Sequence, residues 1–206
     1  IDGEDVLKNV SFRVERGDKI AFISDKETSV TALFEILMEK DTQDSGTFKW
    51  GVSTSTSYFP KDNSEFFNDC DDSILNWLEQ YNNGADHTET YLRGFLGRML
   101  FSGEDVFKPV KVLSGGEKVR CMLSKMMMGG ANVLVLDQPT NHLDLESITA
   151  VNKGLANFPG IVLFTSHDHE FISTVANRII FIQEDGIKDI TSGYDEYLAA
   201  NNLIRE

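Results

Sequence analysis

A chain of 206 residues, 41% hydrophobic and 25% charged, is long enough for one buried core with a subdomain and is ordinary in composition for a globular protein. Its 33 Asp and Glu against 19 Lys and Arg give a net charge of −14, which argues against nonspecific attachment to nucleic acid or acidic membrane through the overall field, while leaving a local basic patch open. No signal peptide and no long apolar span is visible, and Cys70 and Cys121 lack metal-ligand spacing, reading as buried thiols of a reducing compartment rather than a disulfide.

Taken in order, Ile1 to Lys19 reads as two antiparallel strands around Arg16-Gly17-Asp18, with Val6, Leu7, Val10, Phe12 and Val14 partly alternating. Lys19 to Ile23 is a short apolar strand, and Thr31 to Met38 has helical spacing with Leu33, Phe34 and Leu37 inward. Asp44-Ser45-Gly46 turns the chain into strands at Thr47 to Trp50 and Thr54 to Phe59. From Ser73 the apolar spacing becomes helical, first Ile74, Leu75, Trp77 and Leu78, then Tyr91, Leu92, Phe95, Leu96, Met99 and Leu100, with Asn82-Asn83-Gly84 as the loop between. Core packing is the simplest account of the aromatic and Met residues there. Ser102 to Val112, with Gly103 and Pro109, is a linker.

The stretch from Leu113 to Asp144 organises the rest. Leu113 to Glu117 is a Ser-Gly-Gly turn opening a helix with Val119, Met122, Leu123 and Met126 on one face. A helix start offers unpaired N–H groups and a positive dipole end, and two glycines let an anion approach closely, so this is a phosphate site. Val133 to Leu136 is a continuous apolar run ending in Asp137, which suits a buried parallel strand aiming a carboxylate into a ligand crevice, where an acid commonly serves Mg²⁺. Gln138 to Asp144 forms a polar loop. Leu145 to Leu155 is helical, and the strand Ile161 to Phe164 ends in Thr165-Ser166-His167-Asp168. A histidine after a buried strand is, taken alone, best read as a satisfied core residue. Glu170 to Ala176 is a helix, Arg178 to Ile182 and Gly186 to Ile190 form a hairpin, and Gly193-Tyr194-Asp195-Glu196-Tyr197-Leu198 opens a closing helix.

In this order the segments resemble the signature (Leu113, Ser114, Gly115, Gly116, Glu117), the Walker B strand ending in Asp137 and the D-loop of an ATP-binding-cassette (ABC) ATPase. The wording Pro139-Thr140-Asn141-His142-Leu143-Asp144 resembles the ABC-F group of soluble, tandem-cassette translation factors, and the likeness is nearest to the second cassette of the YbiT type. It runs from Val6 to Leu198. It implies an α/β fold: an ABC-type P-loop NTPase core of mixed sheet and flanking helices, with N-terminal antiparallel β strands and a helical insert. Residues 1–206 are then one nucleotide-binding domain: 1–72 carry the β subdomain and phosphate loop, 73–130 the helical signature subdomain, and 131–206 Walker B, D-loop, switch histidine and C-terminal hairpin and helix. The adenine-stacking aromatic of the family lies upstream of Ile1, so a fragment of a larger protein is expected.

The same resemblance assigns roles and exposes departures. The family loop GxxGxGK[ST], which holds the β- and γ-phosphates, falls on Ser24, Asp25, Lys26, Glu27, Thr28, Ser29, Val30 and Thr31. Its glycines are replaced by Ser24, Glu27 and Ser29 and its lysine by Val30, leaving only Thr31, which with Asp137 would serve Mg²⁺. Loss of the lysine contact costs about 1.5–3 kcal/mol. Lys61 stands where the family has a glutamine: either a solvated lysine, or a substitute for the charge Val30 lacks. His167 matches the switch histidine. Gln138 holds the place of the catalytic glutamate, whose loss as a general base typically costs about two to four decades in rate; it is natural in a degenerate site or a substitution that traps a closed state, and the sequence does not separate these.

The resulting expectation is an ATP- and Mg²⁺-using family domain in the cytoplasm that does not hydrolyse ATP in its own site. Its signature completes the site of a partner, the first cassette of the same protein or a second copy when isolated, and the larger protein acts at the ribosome, with no membrane contact. Three alternatives are a transporter's motor subunit, a chromosome-maintenance ATPase, which would need long heptad arms that are missing here, and a pseudo-ATPase engaging no partner nucleotide.

Overall fold

The computed structural model describes residues 6–84, 86–141, 143–191, 194 and 198. Its centre is a six-stranded sheet of β1 (Lys19–Ser24), β2 (Thr56–Phe59), β3 (Val133–Asp137), β4 (Ile161–Thr165), β5 (Arg178–Gln183) and β6 (Gly186–Ile190), in the spatial order β2-β3-β4-β1-β5-β6. All neighbours pair in parallel except the β5–β6 hairpin. The apolar runs have no polar face because both faces are covered. Alternation survives inside them. Leu134 and Leu136 of β3, Val162 and Phe164 of β4, and Ile179 of β5 enter one cluster, whereas Val133 and Val135, Leu163, Ile180 and Ile182 enter the other.

Each face has its own helices. α1 (Glu27–Leu37) lays Val30, Leu33, Phe34 and Leu37 on one face. The other is covered by α4 (Gly115–Met128), α5 (Leu145–Ala156) and α6 (His169–Val175), through residues such as Met122, Val151 and Phe171. α2 (Ile74–Glu79) and α3 (Glu89–Arg98) join this second layer, with Trp77 stacked on Phe67 at a centroid distance of 5.0 Å. The linker 102–112 is wound into two short 3₁₀ turns, and Ile74 N–H donates to the Lys108 carbonyl at 3.0 Å. At the start of β1 the Lys19 ammonium is drawn inward. It donates to the carbonyls of Phe158 (2.6 Å) and Gly160 (2.9 Å), and burial pushes its pKa down.

Several sequence expectations change. The two N-terminal strands do not form within residues 6–18: Val10, Phe12 and Val14 turn inward while Ser11, Arg13 and Glu15 stay out, but no ladder accompanies the alternation, and Ile1–Asp5 lie outside the described residues. Phe12 instead packs edge-on against Phe22 at 5.4 Å. Thr47 to Trp50 is not a strand either. Trp50 is anchored by its indole N–H, which donates to the Leu37 carbonyl at 3.0 Å, so a side-chain tether does the work expected of strand pairing. The first helix begins at Glu27, four residues before the expected Thr31. The closing helix falls mostly outside the described residues; Tyr194 and Leu198 pack against the core.

Candidate functional site

Because β1 to β5 run parallel, the loops after β1, β2, β3 and β4 emerge at one edge of the sheet, which is where open α/β sheets bind ligands. That edge brings together Thr31, Asp137, Gln138, Glu27, Lys61 and His167. Asp137, 1% exposed, accepts the Thr31 hydroxyl at 2.8 Å. Its pKa is raised chiefly by burial, with the Thr31 hydrogen bond opposing. Gln138 follows with φ +53°, the left-handed region that costs a non-glycine residue about 1 kcal/mol. It is held there by its N–H on the Thr165 carbonyl (3.1 Å), and its Oε1 is buried without a hydrogen-bond partner. Thr140 and Ser166 hydroxyls, 2.6 Å apart and buried, tie the loop after β3 to the loop after β4.

The loop after β1 is closed upon itself. Ser24 Oγ accepts the Lys26 N–H at 3.2 Å, Ser29 N–H donates to the Lys26 carbonyl at 3.0 Å, and Ser29 Oγ turns inward to the Val6 carbonyl at 2.9 Å. Val30, 2% exposed, belongs to the apolar cluster under α1. Glu27 accepts Lys61 Nζ on Oε2 and His167 Nε2–H on Oε1, both at 2.7 Å. The Lys61 hydrogen bond, followed by that of His167, holds the Glu27 carboxyl below the usual carboxylate range, and Glu27 in turn raises the Lys61 pKa. Lys61 is thus paired with Glu27 at the mouth of the loop. Asp25 and Thr28 complete the loop without a side-chain role in these contacts. In the sequence Glu27 stands out only as a side chain at a glycine position of the family loop; its position opposite Lys61 and His167 needs the parallel sheet to be seen.

A triphosphate does not fit this loop. Two of its amides are already satisfied, the lysine position is in the core, and the Glu27 carboxylate sits on the donors that the neighbouring loops bring, Lys61 and His167. Thr31 and Asp137 fit Mg²⁺ only as part of a set that phosphate oxygens complete.

The signature forms a second locus. Ser114 N-caps α4 in a capping box: its Oγ accepts Glu117 N–H at 3.3 Å, and Glu117 Oε2 accepts Ser114 N–H at 2.9 Å. The Ser114 hydroxyl also hydrogen-bonds the Glu117 carboxylate, one of the contacts that hold its pKa down. Ser114 and Gly115 are exposed, and the first-turn amides of Gly115 and Gly116 have no partner within the helix by geometry. Gly116 is buried where α4 meets α5: a Cβ there would lie 2.7 Å from Ser147 Oγ. Asp144 N-caps α5 by accepting Ser147 N–H at 2.7 Å, the first of the causes that depress its pKa. Arg120, unremarked in the sequence, fastens α4 by donating to the Met99 carbonyl at 2.9 Å. Leu113 is buried, and Asn141 and Leu143 flank His142, which lies outside the described residues.

Comparison with known proteins bears on this geometry. The ABC transporter family model matches residues 7–141. The ABC transporter ATP-binding protein YkpA of Bacillus subtilis (strain 168) is 62% identical over 96% of the chain and 36% of its own length. The corresponding values are 38%, 98% and 38% for the ATP-binding protein YbiT of Escherichia coli O157:H7, and 32%, 93% and 35% for the energy-dependent translational throttle protein EttA of Escherichia coli (strain K12). The chain thus spans little more than a third of each of these relatives. Among solved structures, a dimer of the ATP-binding cassette MJ0796 in a post-hydrolysis state, bound to ADP and Pi, superposes with a TM-score of 0.70 at 16% identity, over 93% of this chain and 94% of that one. The fold is that of the ABC ATPases, a mixed sheet with flanking helices.

Proposed function

The chain belongs to the ATP-binding-cassette family, and from that membership we propose that it is the second cassette of a YbiT-like, ABC-F tandem protein, acting as a lid on ATP held by the first cassette. The observation that carries this is the contrast between its two loci. The lysine position of the loop after β1 is buried at Val30 and Glu27 there is held by Lys61 and His167, whereas Ser114 and Gly115 stand exposed at the glycine-bearing start of α4. Ser114, Gly115 and Gly116 donate to the partner's γ-phosphate, and the helix dipole favours that charge. The glycines let the phosphate approach without a Cβ between. Asp144, capping α5 beside Gly116, sets the D-loop against the same interface. The division into 1–72, 73–130 and 131–206 follows these roles.

The chain's own site does not turn over ATP: Gln138 accepts no proton, and Thr31 and Asp137 bond each other. His167 donates to Glu27, the side chain at a glycine position of the loop. One relative is named an energy-dependent translational throttle protein, which supports the reading that the larger protein acts at the ribosome, in the cytoplasm, without a membrane partner; no helix among the described residues is long and apolar enough to cross a membrane.

Phosphate release by the full tandem protein tests the assignment. Ser114→Arg places a bulky side chain across the exposed α4 start and should abolish turnover, whereas Thr31→Ala should lower it by less than about threefold, within the worth of one hydrogen bond. Equal losses from the two would refute it. Sedimentation of the tandem protein with ribosomes, and not with membranes, distinguishes it from a transporter motor.

A further inference from the structure

Three loops that leave different strands converge on one side chain. Glu27 opens α1, Lys61 follows β2 and His167 follows β4, and the two carboxylate oxygens each take one donor at 2.7 Å. Carboxylate and phosphate offer such donors the same thing: two negative oxygens on one centre, accepting charge-assisted hydrogen bonds along separate directions. Two amides of the loop are also occupied, since Ser24 Oγ takes Lys26 N–H and the Lys26 carbonyl takes Ser29 N–H.

We propose that the Glu27 carboxylate is an intramolecular stand-in for a phosphate group, tying the loops after β1, β2 and β4 into the arrangement of an anion-filled site, so that this cassette holds a loaded posture with no nucleotide of its own. The proposal rests on the reading that the chain's own site does not hydrolyse ATP, and it says why that site stays ordered.

The energetics are those of proximity. Side-chain exposures of 46% for Glu27, 50% for Lys61 and 62% for His167 make each pair a weak surface contact by itself. An anion carried on the first turn of a packed helix, however, competes at an effective concentration of about millimolar or more. Free phosphate at lower concentration is then excluded. Lys61 draws the carboxyl below its ordinary range, so the stand-in is fully ionised at neutral pH.

Removing the carboxylate should convert the latch into a site. In the full 206-residue chain, Glu27→Ala is expected to bind inorganic phosphate at least about tenfold more tightly than the parent, the worth of two freed donors. Amide hydrogen exchange should accelerate in residues 60–63 and 166–168 of the variant, and added phosphate should return both segments to the parent rate. Glu27→Gln keeps the helix start and the side-chain volume and should show the same two changes at smaller size, which covers the case that Glu27→Ala does not fold. A folded variant that binds phosphate no better than the parent, or exchange rates unchanged by the substitution, overturns the proposal. The lid reading fails separately, through ATP turnover by the unmodified chain without a partner.

Discussion

Asp137 carries its function and its cost in the same atoms. Buried at 1% exposure and satisfied by a single hydroxyl, its carboxyl is shifted upward, so the folded state prefers it protonated more than the unfolded chain does. The stability this adds is fully present below the unfolded value of about 4 and is lost as pH rises through the folded one. Asp137→Asn keeps an acceptor for Thr31 and removes the charge. It should therefore raise the melting temperature at pH 7, with a gain that shrinks toward zero as the pH approaches about 4; a gain constant across that range would contradict the account. Val30 gives the opposite lesson. Restoring the family's lysine by Val30→Lys puts an ammonium into an apolar cluster, so the expected result is a loss of about 2 kcal/mol or more in a urea titration, with no ATP binding gained. A stable, ATP-binding Val30→Lys chain would show that the loop opens more readily than its hydrogen bonds indicate.

Elements were legible where the pattern was local and strong. The runs of β1, β3, β4 and β5, the start of α4 and the β5–β6 hairpin follow from periodicity, the Ser114-Gly115-Gly116 turn, and Glu184-Asp185-Gly186. What escaped depends on partners distant in sequence. The segment 47–50 has strand-like composition, yet Trp50 is fixed to Leu37 and not to a neighbouring strand. The early start of α1 was hidden because the family's loop length suggested open chain as far as Thr31, whereas side chains at the glycine positions close that turn. The same dependence on contact separates two adjacent glycines of α4. A Cβ at Gly115 meets nothing within 4 Å, while one at Gly116 would lie 2.7 Å from Ser147 Oγ and 3.3 Å from its Cβ. Gly116→Ala is expected to cost about 1–3 kcal/mol by pushing α4 from α5, and Gly115→Ala to be neutral or slightly stabilising. Chemical denaturation of the two variants side by side checks this, and equal effects would refute it.

For the whole molecule, the decisive quantity is charge. At −14 the overall field of the chain disfavours the phosphate-dense surface of RNA, so the proposed ribosome contact is expected to rest mainly on other parts of a larger protein. The chain alone is expected to stay in the supernatant when ribosomes are pelleted at about 150 mM salt, where charges are screened beyond roughly 8 Å. Co-pelleting that vanishes at high salt would reveal a basic face that the net figure conceals.

The Glu27 contact also changes how a tandem machine would answer its fuel. On the proposed reading, an acceptor built into the polypeptide is saturated whatever the ratio of ATP to ADP in the cell, which would leave one half of a tandem pair blind to energy charge. The larger protein should then respond along a hyperbola, with one exchangeable nucleotide per molecule and a Hill coefficient near one, instead of the sigmoid that two sensing halves can produce.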